Sequence, residues 1–195
     1  MFCVSVAGYL KEIMNESKID LNLGLVQTAY ANGSSTEYIT DKLNVPVACV
    51  PTGVKHLHHK ALDFDIGVYF EANGHGTVLY SPKAQKAINN AAANNINENI
   101  KKLKLLMDMT NQCVGDALSD MLIVESILYA RGWNIQNWYE TYQDLPNRQL
   151  KVRVADRSVI ETTDAERKCV RPDGLQIAIN DTGIGILIKD TVSET

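Results

Sequence analysis

Long apolar runs, basic clusters and paired cysteines are missing from this chain, and each absence removes a class of function. No apolar stretch is long enough to span a bilayer. The opening residues are apolar but lack a basic leader and run directly into Lys11 and Glu12, so they do not read as a signal peptide. No dense basic patch occurs and the net charge is −4, which argues against a nucleic-acid partner. The four cysteines (Cys3, Cys49, Cys113 and Cys169) are scattered, with no Cys-x-x-Cys spacing. Free, mostly buried thiols in a reducing compartment follow, and the cytoplasm is the expected location.

What is present is ordinary globular material. The 195 residues are 45% hydrophobic and 22% charged, enough to bury a real core. Apolar spacing predicts a helix over 3–17, with Val4, Ala7, Tyr9, Leu10, Ile13 and Met14 on one face. Strands are expected at 21–27, 45–50 and 65–70, separated by helices at 36–43 and 52–60, with Ser34 or Ser35 capping the first of these. That alternation predicts an α/β fold, a mixed and largely parallel sheet flanked by helices. A return strand at 77–80 is expected to pair antiparallel, because its connection is so short.

From Pro82 to Arg131 the pattern turns helical. The Asn- and Ala-rich stretch 89–99 reads as a loose, exposed link. Residues 116–131 read as a helix whose buried face holds Ala117, Leu118, Met121, Leu122, Val124, Ile127 and Leu128, stopped by Gly132. Trp133, Trp138, Tyr139 and Tyr142 are expected to pack against it. Leu145-Pro-Asn reads as a hinge, followed by a strand at 149–154, a short helix begun by Thr163 with Glu166 in a capping box, and another helix over 172–180. Two units are expected: 1–143, an α/β domain with a helical extension, and 144–195, a partial α+β domain.

The chemistry concentrates in Glu71-Ala-Asn-Gly-His-Gly76, between two strands. Glu71 accepts hydrogen bonds, Asn73 donates and accepts, and His75 moves a proton near neutral pH. Gly74 lets a ligand approach the backbone. This equipment suits a polyol such as a sugar; the bland alternative is a polar turn. His56, His58, His59 and His75 lie within twenty positions, which raises a metal reading. No His-Glu-x-x-His occurs, no acidic third ligand is placed by spacing, and Lys55 and Lys60 flank the set. The basic run suits an anion such as phosphate better. If helix 52–60 and loop 71–76 top neighbouring strands, their side chains converge at one sheet end, where open α/β sheets bind ligands.

Three segments carry a resemblance: Gln27-Thr-Ala-Tyr-Ala-Asn-Gly-Ser-Ser-Thr36, Thr52-Gly-Val-Lys-His-Leu-His-His-Lys60 and Phe64-Asp-Ile-Gly-Val-Tyr-Phe-Glu-Ala-Asn-Gly-His-Gly-Thr77. They resemble the phosphoacetylglucosamine mutases of the α-D-phosphohexomutase superfamily. Asp144-Leu-Pro-Asn-Arg-Gln-Leu-Lys-Val152 and Thr162-Thr-Asp-Ala-Glu-Arg167 extend the match. The resemblance implies a four-domain isomerase that interconverts N-acetylglucosamine 6-phosphate and 1-phosphate, on the route to UDP-N-acetylglucosamine. It implies a phosphoserine in the first domain, a magnesium site in the second, a sugar grip in the third and a phosphate site in the fourth. On that map this chain begins after the metal loop and supplies the third domain and the start of the fourth, the phosphate-binding one.

The implied roles fall on Glu71, which would take vicinal sugar hydroxyls, on Asn73 for an amide contact, and on Gly74 for room. His75 is the candidate for proton transfer, with a structural role in orienting the loop as its alternative. Thr52, Gly53 and Lys55 are further candidates for hydroxyl or phosphate contacts. The family's serine, metal and phosphate loops do not occur here, and Asp173-Gly174 is a lone dipeptide. Phosphoryl transfer needs nucleophile, cation and phosphate clamps together. The chain is therefore expected to hold N-acetylglucosamine phosphates, to bind no magnesium with its own residues and to be inactive alone. The ending from Gly183 leaves the family pattern, which suggests truncation. The competing readings are a non-catalytic module binding a sugar phosphate or a partner, and a histidine-rich metal domain.

Overall fold

β3 (Ile66–Phe70) is buried at every position, as a central strand covered on both faces must be. It pairs in parallel with β1 (Leu23–Gln27), which pairs in parallel with β2 (Val47–Cys49). β4 (Gly76–Tyr80) returns antiparallel to β3, giving the order β2-β1-β3-β4. The computed structural model describes residues 2–94, 97–147 and 152–181.

Alternation divides the sheet into two faces. Leu23, Leu25, Ile66, Val68, Phe70, Val78 and Tyr80 point into the larger core. That core is covered by α1 (Phe2–Ser17), α4 (Pro82–Ala93), α5 (Glu98–Met109) and α6 (Ala117–Arg131). The expected face of α1 is buried throughout, with no named residue more than 4% exposed. On the other face Val26, Tyr69 and Leu79 pack under α3 (Val54–Ala61), through Leu57 and Ala61. α3 rides close because Gly67 has no side chain: a Cβ there would lie 2.2 Å from the Ala61 carbonyl oxygen.

Several local expectations are corrected. The helix after β1 starts earlier, as α2 (Gly33–Glu37), and its cap is Asn32, whose side chain accepts from the Ser34 N–H; Ser34 and Ser35 lie inside. α2 runs into a π-helical turn, Tyr38–Lys42, closed by the Leu43 N–H on the Tyr38 carbonyl. The Asn- and Ala-rich stretch is helical through Ala93, because Ser81 and Pro82 start α4 well and Ala84 and Ile88 anchor it.

α6 buries Val124 and Ile127 as expected, but beside them stand Asp120 and Ile123, while Ala117, Leu118, Met121 and Leu122 are exposed. The helix is apolar nearly all round, so its period does not single out a face. Trp138 donates to Ser5 Oγ at 2.5 Å, Tyr142 faces Tyr38 at 6.0 Å between ring centres, and Trp133 lies under the Arg131 guanidinium, whereas Tyr139, on α7 (Ile135–Tyr139), is exposed. Gly132 ends α6 in the left-handed conformation, as expected.

The hinge Leu145-Pro-Asn is tethered: Asn32 accepts from the Leu145 N–H and donates to its carbonyl. Residues 152–154 carry no strand, and the rest of that expected strand lies outside the described residues, as does the apolar run from Thr182. The expected helix at Thr163 is instead a hairpin, β5 (Glu161–Thr163) against β6 (Lys168–Arg171). Asp164, Ala165 and Glu166 all turn with positive φ, so pairing overrides the local capping-box chemistry. α8 (Leu175–Asp181) follows, starting three residues later and ending one later than the helix expected over 172–180.

Candidate functional site

The C-terminal ends of β1, β2 and β3 share one edge of the sheet, because the three strands are parallel. The segments leaving that edge, two loops and the first turn of α3, carry every candidate residue. Glu71 to His75 bridge β3 and β4 above the Phe70–Gly76 pair. The Glu71 N–H donates to the His75 carbonyl at 2.8 Å, and the Gly74 N–H to the Glu71 carbonyl at 2.9 Å. Asn73 Oδ1 accepts from the His75 N–H at 2.8 Å, a side chain standing in for a turn. Gly74 has φ +88 with open space around it.

This bonding leaves specific groups outward. Asn73 spends its oxygen on the loop, so its amide is the end available to a ligand; it reaches Glu71 Oε2 only at 3.5 Å. Glu71 is half-buried, whereas Asn73, Gly74 and His75 are exposed. A cleft of about 250 Å³ opens over Asn73, Gly74 and His75, closed opposite by Gly115, Ala117 and Asp120. A second, more apolar cavity of about 390 Å³ adjoins it, sharing Gly74, Ala117 and Asp120.

The residue that sequence reasoning missed is Asp120. It is only 8% exposed, and burial pushes its carboxyl up to about 6, with Asp116 adding to the rise and His75 opposing it. No local signal marked it: α6 is apolar nearly all round, so its spacing does not reveal that Asp120 shares the buried stripe of Ile123, Val124 and Ile127. Gly115 packs against His75, fixing the ring at the cleft wall.

The other candidates sit apart from this loop. Thr52 and Gly53 follow β2, and Lys55 lies exposed in the first turn of α3. They do not top a strand neighbouring β3, because β1 lies between. Two strand spacings, about 10 Å, separate the two sets across one sheet end. Gly53 caps α3 at φ +129, and Thr52 is bonded to Glu166 through both its N–H and its hydroxyl. His58 packs edge-on against Tyr69, its Nδ1 3.1 Å from the phenol oxygen. Among the described residues no group of three His, Cys, Asp or Glu side chains could hold a metal ion, and no helix is long and apolar enough to cross a membrane.

The family described as phosphoacetylglucosamine mutase AMG1, domain III, matches residues 2–133. The chain is 57% identical over 179 residues to the phosphoacetylglucosamine mutase of Sus scrofa and 56% identical to that of Homo sapiens. Each alignment covers 90% of this chain and 33% of the relative, so the chain spans about a third of the length of the curated relatives it matches. Aspergillus fumigatus N-acetylphosphoglucosamine mutase, solved in complex with GlcNAc-6P and magnesium, aligns with a TM-score of 0.86 at 48% identity, covering 92% of this chain and 37% of that one. An N-acetylglucosamine-phosphate mutase of the α-D-phosphohexomutase superfamily, in its substrate complex, aligns with a TM-score of 0.85 at 47% identity, covering 92% of this chain and 34% of that one.

Proposed function

The chain belongs to the phosphoacetylglucosamine mutase family, matched over that family's third domain, and on this premise we propose that it supplies the sugar grip of a mutase that interconverts N-acetylglucosamine 6-phosphate and 1-phosphate. The observation that carries the proposal is the 71–75 loop. Its own backbone bonds hold it in shape without a ligand, and they leave the Asn73 amide and open space at Gly74 facing a cleft, with the half-buried Glu71 at the base of the same loop.

In this reading Glu71 accepts from two vicinal ring hydroxyls. The intermediate of a phosphosugar mutase must turn over between two phosphoryl transfers, so it must be held by groups that serve both poses. A carboxylate facing a pair of adjacent hydroxyls does that. Asn73 donates its amide to the ligand, and Gly74 lets the ring approach the backbone. His75 moves or holds a hydroxyl proton in each half-reaction. Thr52, Gly53 and Lys55 flank the same sheet end for hydroxyl or phosphate contacts.

Magnesium would neutralise phosphate charge in the complete enzyme, and the Aspergillus relative was solved with it. The donor set for it is absent from the described residues, so no step here runs through the ion. Residues 1–143 form the sugar-binding unit in this proposal, and 144–195 begin the phosphate-binding one. The free thiols support a cytoplasmic setting.

The chain alone is expected to bind N-acetylglucosamine 6-phosphate weakly and to convert none of it. Calorimetric titration tests the grip: Glu71→Ala should abolish measurable heat, since a charge-assisted bond is worth about 1.5–3 kcal/mol. Undiminished binding in that variant would remove Glu71 from the role. Magnesium-dependent turnover by the purified chain would refute its inactivity. The second reading, a stand-alone sugar-phosphate module, rests on the preformed loop, and binding without turnover in the mature protein would favour it.

A further inference from the structure

The helices leaving β1 and β2 go to opposite faces of the sheet. α2 and the π-helical turn lie on the larger core, through Ile39, and α3 lies on the other face. In the order β2-β1-β3-β4 the winding reverses between β1 and β3, where open α/β sheets bind ligands, so the ends of β1 and β2 border that crevice on one side. The ends of β1 and β2 are themselves covered from within the chain. The Glu166 carboxylate reaches back across 114 residues, accepting from the Thr52 N–H at 3.2 Å and from its hydroxyl at 2.8 Å through one oxygen.

Two neighbours register the same placement from either side. Tyr30, after β1, and Cys49, ending β2, are both raised first by burial, and Glu166 adds to the rise in each. Asp164 and Arg167 also act on Cys49, so the whole hairpin turn sits over the end of β2. The turn is specialised for this delivery. Asp164, Ala165 and Glu166 have φ of 55, 55 and 69, a conformation residues with side chains rarely adopt in succession. Arg167 braces it by donating to the Asp164 carbonyl and carboxylate.

We propose that Glu166 is a positioning residue: it docks the β5–β6 hairpin onto the ends of β1 and β2 and holds the Thr52–Gly53 turn in the shape that meets the sugar phosphate. Glu166 acts through Thr52 and Gly53, with no contact to the ligand itself. The second half of this inference rests on the function proposed above; the docking does not. α3 has no side-chain cap of its own, and Gly53 at φ +129 leaves its entry loose unless something fixes the residue before it. A carboxylate bonded to both donors of Thr52 provides that.

The test uses the 195-residue chain. Amide hydrogen exchange is measured at Thr52 and at Arg167, whose N–H donates to the Asp164 carbonyl inside the turn. Glu166→Ala should speed exchange at Thr52 on the order of tenfold, the equivalent of losing one charge-assisted bond. Glu166→Gln, which keeps an acceptor oxygen, should return it most of the way, and Glu71→Ala should leave it alone. Thr52→Val should speed exchange at Arg167 from the other side. Unchanged exchange at Thr52 in Glu166→Ala, or at Arg167 in Thr52→Val, overturns the docking.

The positioning half is read by titrating N-acetylglucosamine 6-phosphate. Its dissociation constant should rise severalfold in Glu166→Ala and recover in Glu166→Gln. Wild-type affinity in Glu166→Ala, with Thr52 exchange raised, overturns that half. If the wild-type chain binds no sugar phosphate, the functional reading falls and exchange alone decides the docking.

Discussion

Gly115 lies directly against the ring of His75: a Cβ at Gly115 would come within 2.4 Å of His75 Cδ2 and 2.8 Å of Nε2. The ring is thus set by the 110–116 connection as well as by its own loop. Gly115→Ala must push the imidazole outward, and its Cβ would also press on the Gly76 carbonyl at 3.0 Å. The expected outcome is a shifted His75 ring resonance in NMR with the fold retained, and weaker sugar-phosphate binding. An unmoved resonance would mean that the ring had never rested on Gly115.

Asp120 gives the chain a pH dependence with a definite sign. Its folded carboxyl titrates near 6, while an unfolded Asp titrates near ~3.9. Between those values the folded state holds a proton that the unfolded state has released. Its contribution is full below pH ~4 and is lost as pH rises through about 6. Asp120→Asn, uncharged at every pH, should be more stable than wild type above pH ~7 by about 1–3 kcal/mol and should match it near pH ~4. Urea unfolding of both proteins across that range is the measurement. A gap that fails to close on acidification would show that the carboxyl is not held protonated.

The sheet was legible in the sequence because strands and helices alternate with sharp punctuation, and β1 and β3, buried on both faces, read as continuous apolar runs. The 71–76 loop was legible because its polar groups crowd a few positions between two strands. The α6 face was not, since a helix that is apolar all round has no preferred stripe in its spacing, and Asp120 hid inside that stripe. Thr163 to Glu166 misled because a capping box and a hairpin turn draw on the same residues. Long-range pairing with β6 decides between them, and a local pattern does not contain it. The Glu166–Thr52 bond was invisible for the same reason: its two ends are 114 residues apart.

Asn32 holds the start of α2 and the tether of Leu145 with one carboxamide. Its oxygen accepts from Ser34 N–H at 3.1 Å and Leu145 N–H at 3.0 Å, and its nitrogen donates to the Leu145 carbonyl at 2.9 Å. Asn32→Ala should cost about 1–2 kcal/mol, the loss of a cap plus partly exposed bonds. Asn32→Asp keeps both accepting roles but sets a carboxylate oxygen against the Leu145 carbonyl. Asp should therefore restore the helix cap but not the tether. Limited proteolysis near Leu145 separates the two, with faster cleavage expected in both variants. If Asp cuts no faster than wild type, the donated bond contributes nothing to holding the segment.

Gly67 and Gly132 test crowding against backbone conformation as separate causes. At Gly67, the second residue of β3, an added Cβ would lie 2.2 Å from the Ala61 carbonyl oxygen and 2.8 Å from its carbon and Cβ. These are helix atoms, with no flexible side-chain end to give way, so α3 must lift off the sheet. Overpacking of that kind costs about 1–3 kcal/mol or more. At Gly132, φ is +64 and nothing lies within 4 Å of an added Cβ. Gly132→Ala therefore meets only the left-handed backbone penalty, about 1–2 kcal/mol. Both variants lower the denaturation midpoint, but only Gly67→Ala should also weaken sugar-phosphate binding. β3 runs straight into Glu71, and Gly53 caps the start of α3, so lifting α3 disturbs both sets of candidate residues together. Equal sugar affinity in the two variants, at matched loss of stability, would mean that the seat of α3 on β3 does not set the geometry of the sheet end.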